Sequence, residues 1–182
     1  MGKLRARADS HQLPATSRQR LKINSMPLPD GFTLRTASTT DLDTLVEHRR
    51  AMFQDMGYTD HAALSSMSAK FRPWLLAHMN SDDYLAWLIE APTGSIAAGA
   101  GLWLMDWPPH LIGKAAHRGN ILNVYTHPDF RRRGLGRELM QTALDWCKEN
   151  RVDTIILHAS PEGRSLYESM GFTPTNEMRL RV

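Results

Sequence analysis

The apolar positions of the chain keep two different rhythms, and the change from one to the other divides it into elements. Residues 32 to 35 alternate after Asp30-Gly31 and predict a first strand. From Leu42 the period lengthens: Leu42, Leu45, Val46, Met52, Phe53 and Met56 recur at helical spacing until Gly57, with Thr40 as cap and Asp43 closing a weak capping box. A second helical stretch carries Leu64, Met67, Phe71, Trp74 and Leu75, and Pro73 predicts a kink or a division within it. Residues 84 to 89 and 95 to 105 flank Ala91-Pro92-Thr93-Gly94, a hairpin signal. Gly99 and Gly101 inside the second of these strands predict a bulge or a close neighbour.

Residues 106 to 119, with Pro108, Pro109, Gly113, His110 and His117, read as a loop long enough to have a function. The stretch that follows, NILNVYTHPDFRRRGLGR over residues 120 to 137, organises the rest. Ile121, Leu122, Val124 and Tyr125 are β-formers stopped by His127-Pro128. Leu135, Leu139, Ala143, Trp146 and Cys147 then recur at helical spacing, with Arg137, Glu138, Gln141, Asp145 and Lys148 on the opposite face. Strand, glycine turn and helix start make an anion site. Unpaired N–H groups leave the helix end, its dipole favours negative charge, and Gly134 and Gly136 admit a phosphate to the backbone. Residues 152 to 158 predict another strand, 162 to 170 a short helix closed by Gly171, and Phe172 onward a last strand or strand pair. The alternation is that of an α/β fold.

At 182 residues, with 42% hydrophobic and 23% charged positions, the chain fits one globular domain, placed at 26–182. No apolar run is long enough to span a bilayer. The net charge of +3 is uneven. Residues 1–25 hold Lys3, Arg5, Arg7, Arg18, Arg20 and Lys22 against Asp9, and read as a disordered basic tail. The remainder carries sixteen basic and eighteen acidic residues, which does not support a nucleic-acid footprint on the folded part. Cys147, the single cysteine, lies on the apolar helix face; it reads as core in a reducing compartment, and no secretory apolar run precedes residue 30, so a cytoplasmic location is expected.

Arg131-x-x-Gly134-x-Gly136 is neither G-x-G-x-x-G nor G-x-x-x-x-G-K-[ST], so the dinucleotide and P-loop fingerprints are missing. It resembles the pyrophosphate loop of the GNAT superfamily of N-acetyltransferases. Downstream, Leu166-Tyr167-Glu168-Ser169-Met170-Gly171-Phe172 is similar to the L-Y-x-x-x-G-F segment of the same superfamily, in the same order. The resemblance runs from about residue 31 to the end of the chain. It implies a mixed central sheet, partly parallel, with helices on both faces, and acetyl-CoA as co-substrate without a metal. It further implies that the loop Arg131, Arg132, Arg133, Gly134, Leu135, Gly136 and Arg137 holds the diphosphate, and that the strand around Val124, Tyr125 and Thr126 splays from its parallel neighbour to bind pantetheine. Val124 N–H would polarise the thioester carbonyl, Tyr167 would protonate the departing thiolate, and Ser160 would stand where relatives use Asn on the cofactor arm.

Some relatives place a carboxylate base where this chain has Asn120, which takes no proton. Asp106, His110, His117 and His127 are the replacements to consider, while Glu47 and Asp55 read as solvated helix face. Direct attack by a neutral amine is the expected chemistry, since a helix-interior Cys147 is a poor nucleophile. The acceptor site is expected between the first two helices and the 106–119 loop, with Trp103 and Trp107 near it, and homodimerisation is a family-level expectation. Two other classes compete: a non-catalytic coenzyme A-binding or regulatory module, and an RNA-binding protein using the tail and arginine cluster.

Overall fold

The computed structural model describes residues 28–108, 110, 111, 113 and 115–180; the basic tail lies outside the described residues. Five strands form one sheet in the order β1 (Thr33–Thr36), β2 (Tyr84–Glu90), β3 (Ile96–Asp106), β4 (His117–Thr126) and β5 (Ile155–Leu157). The first four are antiparallel and β5 is parallel to β4, so the sheet is mixed. β2 and β3 are joined by a short hairpin and β1 reaches β2 through two helices, whereas the parallel step from β4 to β5 needs the crossover helix α3 (Leu135–Glu149).

Helices cover both faces because β2 and β3 are apolar on both. Tyr84, Ala86 and Leu88 of β2 pack with Leu42 and Leu45 of α1 (Leu42–Asp55) and with Phe71 and Leu75 of α2 (His61–Asn80). Trp87 and Ile89, the alternate positions, join Leu135, Leu139, Met140, Ala143 and Cys147 of α3. Each fully buried Leu or Ile contributes about 1.5–3 kcal/mol. The last helix, α4 (Pro161–Ser169), sends Leu166, Tyr167 and Met170 against the α3 side.

Several boundaries differ from the sequence expectation, each for a local reason. The first cap is Ser38 rather than Thr40: Asp41 accepts from Ser38 N–H at 2.8 Å, closing a capping box over a short 3₁₀ turn before α1. Pro73 neither ends nor divides α2. It is exposed, and on the solvent side of a helix a carbonyl left unbonded by proline is open to water. β3 and β4 pair out to Asp106 and His117, which shortens the expected 106–119 loop at both ends. β5 has three residues instead of seven. No strand forms from Phe172 through Leu180, where Pro174 removes a ladder donor. No helix among the described residues is long and apolar enough to cross a membrane.

Candidate functional site

The site begins where the sheet opens. β4 pairs with β5 only from Gly119 to Ile121, then continues to Thr126 with no strand beside that edge among the described residues. Opposite, on β3, Gly99 pairs with Tyr125 and Gly101 with Leu122, so Ala100 alone faces Asn123 and Val124. This is a β-bulge, and its first residue, Asn123, sits in the left-handed region at φ 56°. Asn is among the residues that accept this conformation most readily.

The bulge is clamped by side chains from two other elements. Arg has only donors, so the Asn123 amide oxygen must face it, accepting from Arg49 Nη1 at 2.6 Å. The amide nitrogen then donates to Tyr84 Oη at 3.0 Å. Close approach of these groups explains the strand glycines. A Cβ on Gly101 would strike the Tyr84 hydroxyl, and one on Gly99 would lie 2.8 Å from His48 Nδ1. His48, packed on the Tyr125 ring, is held down to about pKa 4, first by burial and then by the charge of His127. Burial pushes Tyr84 up to about 12. None of Arg49, His48, Tyr84 and Asn123 was singled out by sequence. The available signal was an Asn in the middle of an apolar strand.

At the open end of β4 the phosphate-loop motif takes a shape suited to an anion. Arg132 and Gly134 both have positive φ, 63° and 81°, and α3 starts at Leu135 with no side-chain cap on its N–H groups. Backbone donors therefore face a cleft of about 470 Å³ lined by Thr126, Phe130, Arg131, Arg132, Gly134, Leu135, Gly136 and Arg137, with Ser165, Leu166 and Ser169 of α4 opposite. The residues present thus fit a diphosphate. Two of the arginines are already engaged as struts. Arg131 Nε donates to the Thr126 carbonyl at 3.0 Å and its Nη2 bonds Asp55, while Arg137 Nη2 donates to Ser169 Oγ at 2.6 Å. Arg133 reaches the Asp129 carbonyl at 3.4 Å.

Ser160 caps α4, its Oγ accepting from Gly163 N–H at 3.2 Å. Tyr167 lies about two turns later, against Gly163 and edge-on to Phe172, and is not among the cleft-lining residues. Its hydroxyl has no protein partner among the described residues, and burial raises its pKa, which keeps the proton in place. Cys147 is fully buried and pushed up to about 12, which suits core and not nucleophile.

The base candidates separate. Asp106 and His117 pair with each other at 3.1 Å at the far end of the β3–β4 ladder, seven residues or roughly 23 Å along the strand from Val124. His110 is exposed in the same distal loop. His127 stays near, but its Nδ1 accepts from Asp129 N–H at 3.4 Å as a turn cap. Asn120 has a buried Oδ1 without a partner. Asp55 is tied to Arg131, and Glu47 to Arg50 at 3.1 Å. Trp103 joins Trp74 on the α2 side at 5.2 Å, whereas Trp107 lies apart under the Arg118 guanidinium at 3.7 Å.

The profile of the Acetyltransferase (GNAT) family matches residues 42–172. The chain belongs to the GNAT acetyltransferase family. It is 31% identical over 151 residues to a mycothiol acetyltransferase of Beutenbergia cavernae, across 81% of this chain and 47% of that protein. This GNAT chain spans about half the length of the curated relatives it matches. A GCN5-related N-acetyltransferase from Ralstonia eutropha superposes with TM-score 0.78 at 37% identity, covering 84% of this chain and 99% of that one. A predicted acetyltransferase of Clostridium acetobutylicum, whose crystal structure is described with acetyl-CoA, gives TM-score 0.76 at 26% identity over 82% and 96% of the two chains.

Proposed function

We propose that this chain transfers the acetyl group of acetyl-CoA to a primary amine by direct attack. The observation that carries this reading is a coincidence of two features at one opening. The gap beside β4 begins after Ile121, passes the Asn123–Val124 bulge and ends at the uncapped N–H groups of α3. In this reading, backbone N–H groups between Arg132 and Arg137 bind the diphosphate and Val124 to Thr126 hold the pantetheine amides along the unpaired edge. Val124 N–H donates to the thioester oxygen as negative charge develops there, a contact of the kind worth about 3–4 kcal/mol. The amine nitrogen attacks the carbonyl carbon, the carbon–sulfur bond breaks, and the Tyr167 hydroxyl donates its proton to the leaving sulfur. With Asn120 in place of a carboxylate, attack draws on the neutral fraction of the amine, whose proton passes to water.

Release of coenzyme A thiol from acetyl-CoA in the presence of a panel of amines, combined with calorimetry of acetyl-CoA binding, tests the reading. Micromolar binding with amine-dependent thiol release is expected. Binding without thiol release for any amine would leave the coenzyme A-binding module standing instead.

A further inference from the structure

Arg49 is a cation on the acceptor face with no acid to answer it. It projects from α1 toward the bulge, and its guanidinium lies 4.6 Å from the Phe71 ring centroid and 5.1 Å from that of Phe53. The neighbouring carboxylates are engaged elsewhere: Asp43 with Arg72, Glu47 with Arg50 and Asp55 with Arg131. Among the described residues none pairs with Arg49. One N–H group goes to Asn123, and Nε is buried without a partner. Burial lowers its pKa, and the only opposing influence is Tyr84.

The unmet donor is part of a pattern. Among the described residues, the buried side-chain polar atoms that lack a partner are His48 Nδ1, Arg49 Nε, Ser68 Oγ and Asn120 Oδ1. They belong to α1, α2 and the strand those helices cover, and none comes from the α3 side. Buried polar groups normally find partners, so the orphans of His48 and Arg49, which meet the strand at the bulge, mark where a ligand's polar atoms belong. A guanidinium flanked by aromatic rings offers its planar edge, the fork that matches a carboxylate. That edge already touches Asn123, the residue next to Val124.

We propose that the acceptor is an amine that also carries a carboxylate, and that Arg49 is the residue that selects it. The edge of Arg49 takes the carboxylate while the amine reaches the carbonyl carbon beside Val124; the acceptor is then a small amino acid-like molecule. This inference rests on the acetyl-transfer reading above.

The test uses the full chain saturated with coenzyme A, titrated calorimetrically with N-acetylglycine, N-acetyl-β-alanine, N-acetylmethionine and N-acetylphenylalanine. Each is compared with its carboxamide. At least one acid is expected to bind about tenfold or more tightly than its amide. Arg49→Gln should bring the pair to equal affinity while coenzyme A binding stays within about twofold, and Arg49→Lys should retain part of the preference. A strut that merely holds Asn123 would weaken acid and amide together, and that result overturns the inference. So does a wild-type protein that binds no acid better than its amide; this comparison decides the matter even where Arg49→Gln fails to fold. Failure to bind coenzyme A at all would remove the acetyl-transfer reading as well, whereas amine-dependent thiol release without acid preference would leave that reading intact.

Discussion

The two sides of the opening in the sheet are built from different material. On the proposed cofactor side, six consecutive positions from Arg132 to Arg137, five of them lining the cleft, offer backbone donors, and the arginines around them act largely as struts. On the proposed acceptor side, Arg49, Tyr84 and Asn123 come from α1, β2 and β4, and their side chains make the arrangement. A backbone site is written in local spacing; a side-chain site is assembled by the fold. The first therefore tolerates changes in residue identity so long as the turn survives, and the second does not.

The sharpest way to break that contrast is Tyr167→Phe, which removes one hydroxyl and no backbone donor. Turnover should fall by a factor of about 100 to 10,000 with acetyl-CoA affinity kept, the signature of a general acid. Because burial raises this tyrosine's pKa, the wild-type alkaline limb of kcat should lie above pH 10 and vanish in the variant. Activity within about threefold of wild type, measured by thiol release, would make the hydroxyl structural. Gly134→Asp comes next. A carboxylate against the diphosphate should weaken acetyl-CoA binding about tenfold to a hundredfold by calorimetry, while Gly134→Asn, which also accepts positive φ, should bind within a few-fold. Equal losses in both variants would refute a backbone site.

Two smaller effects probe the acceptor side through stability. The folded pKa of His48, about 4, lies below its free value of 6.5, so its contribution is in place above pH 6.5 and is lost as pH falls toward 4. Urea unfolding should show about 2 kcal/mol less stability at pH 5 than at pH 7 from this group, and His48→Gln should lose that component. An unchanged pH slope in the variant would place the titration elsewhere. Tyr84→Phe keeps the ring but strands the Asn123 amide, at a cost of about 1–2 kcal/mol in unfolding free energy, with acetyl-CoA affinity unaltered. A weakened cofactor site in that variant would show that the two sides are coupled through the bulge.

The legibility of the chain follows the same division. Arg131-x-x-Gly134-x-Gly136 and the Leu166 to Phe172 segment were readable because turn and helix-start chemistry is local. The hairpin at Ala91 to Gly94 was readable from its turn residues, and the helices of residues 42 to 55 and 135 to 149 from their period. Gly99 and Gly101 announced a close neighbour, but which neighbour depended on strands β2 and β4 meeting in register. Nothing in the spacing of the first helix marks Arg49, and only the approach of Asn123 from 74 residues away separates it from Arg50. The loop histidines show the converse. Their chemistry was visible, yet the ladder carried His117 to the wrong end of the strand.

The extra residue in β4 also shifts the phase of the strand. Ile121 packs on the α3 side and Leu122 on the α1 and α2 side; Asn123 faces the latter again, toward Arg49 and Tyr84, before Val124 returns to α3 and Tyr125 to His48. Odd positions thus belong to α3 before the bulge and to α1 after it. Deleting one residue from β4 would restore strict alternation and so misaddress one half of the strand, sending its side chains to the opposite layer. Substitutions at Asn120 or Leu122 leave that count intact. The proposed cofactor edge therefore keeps its place only so long as the strand keeps its length.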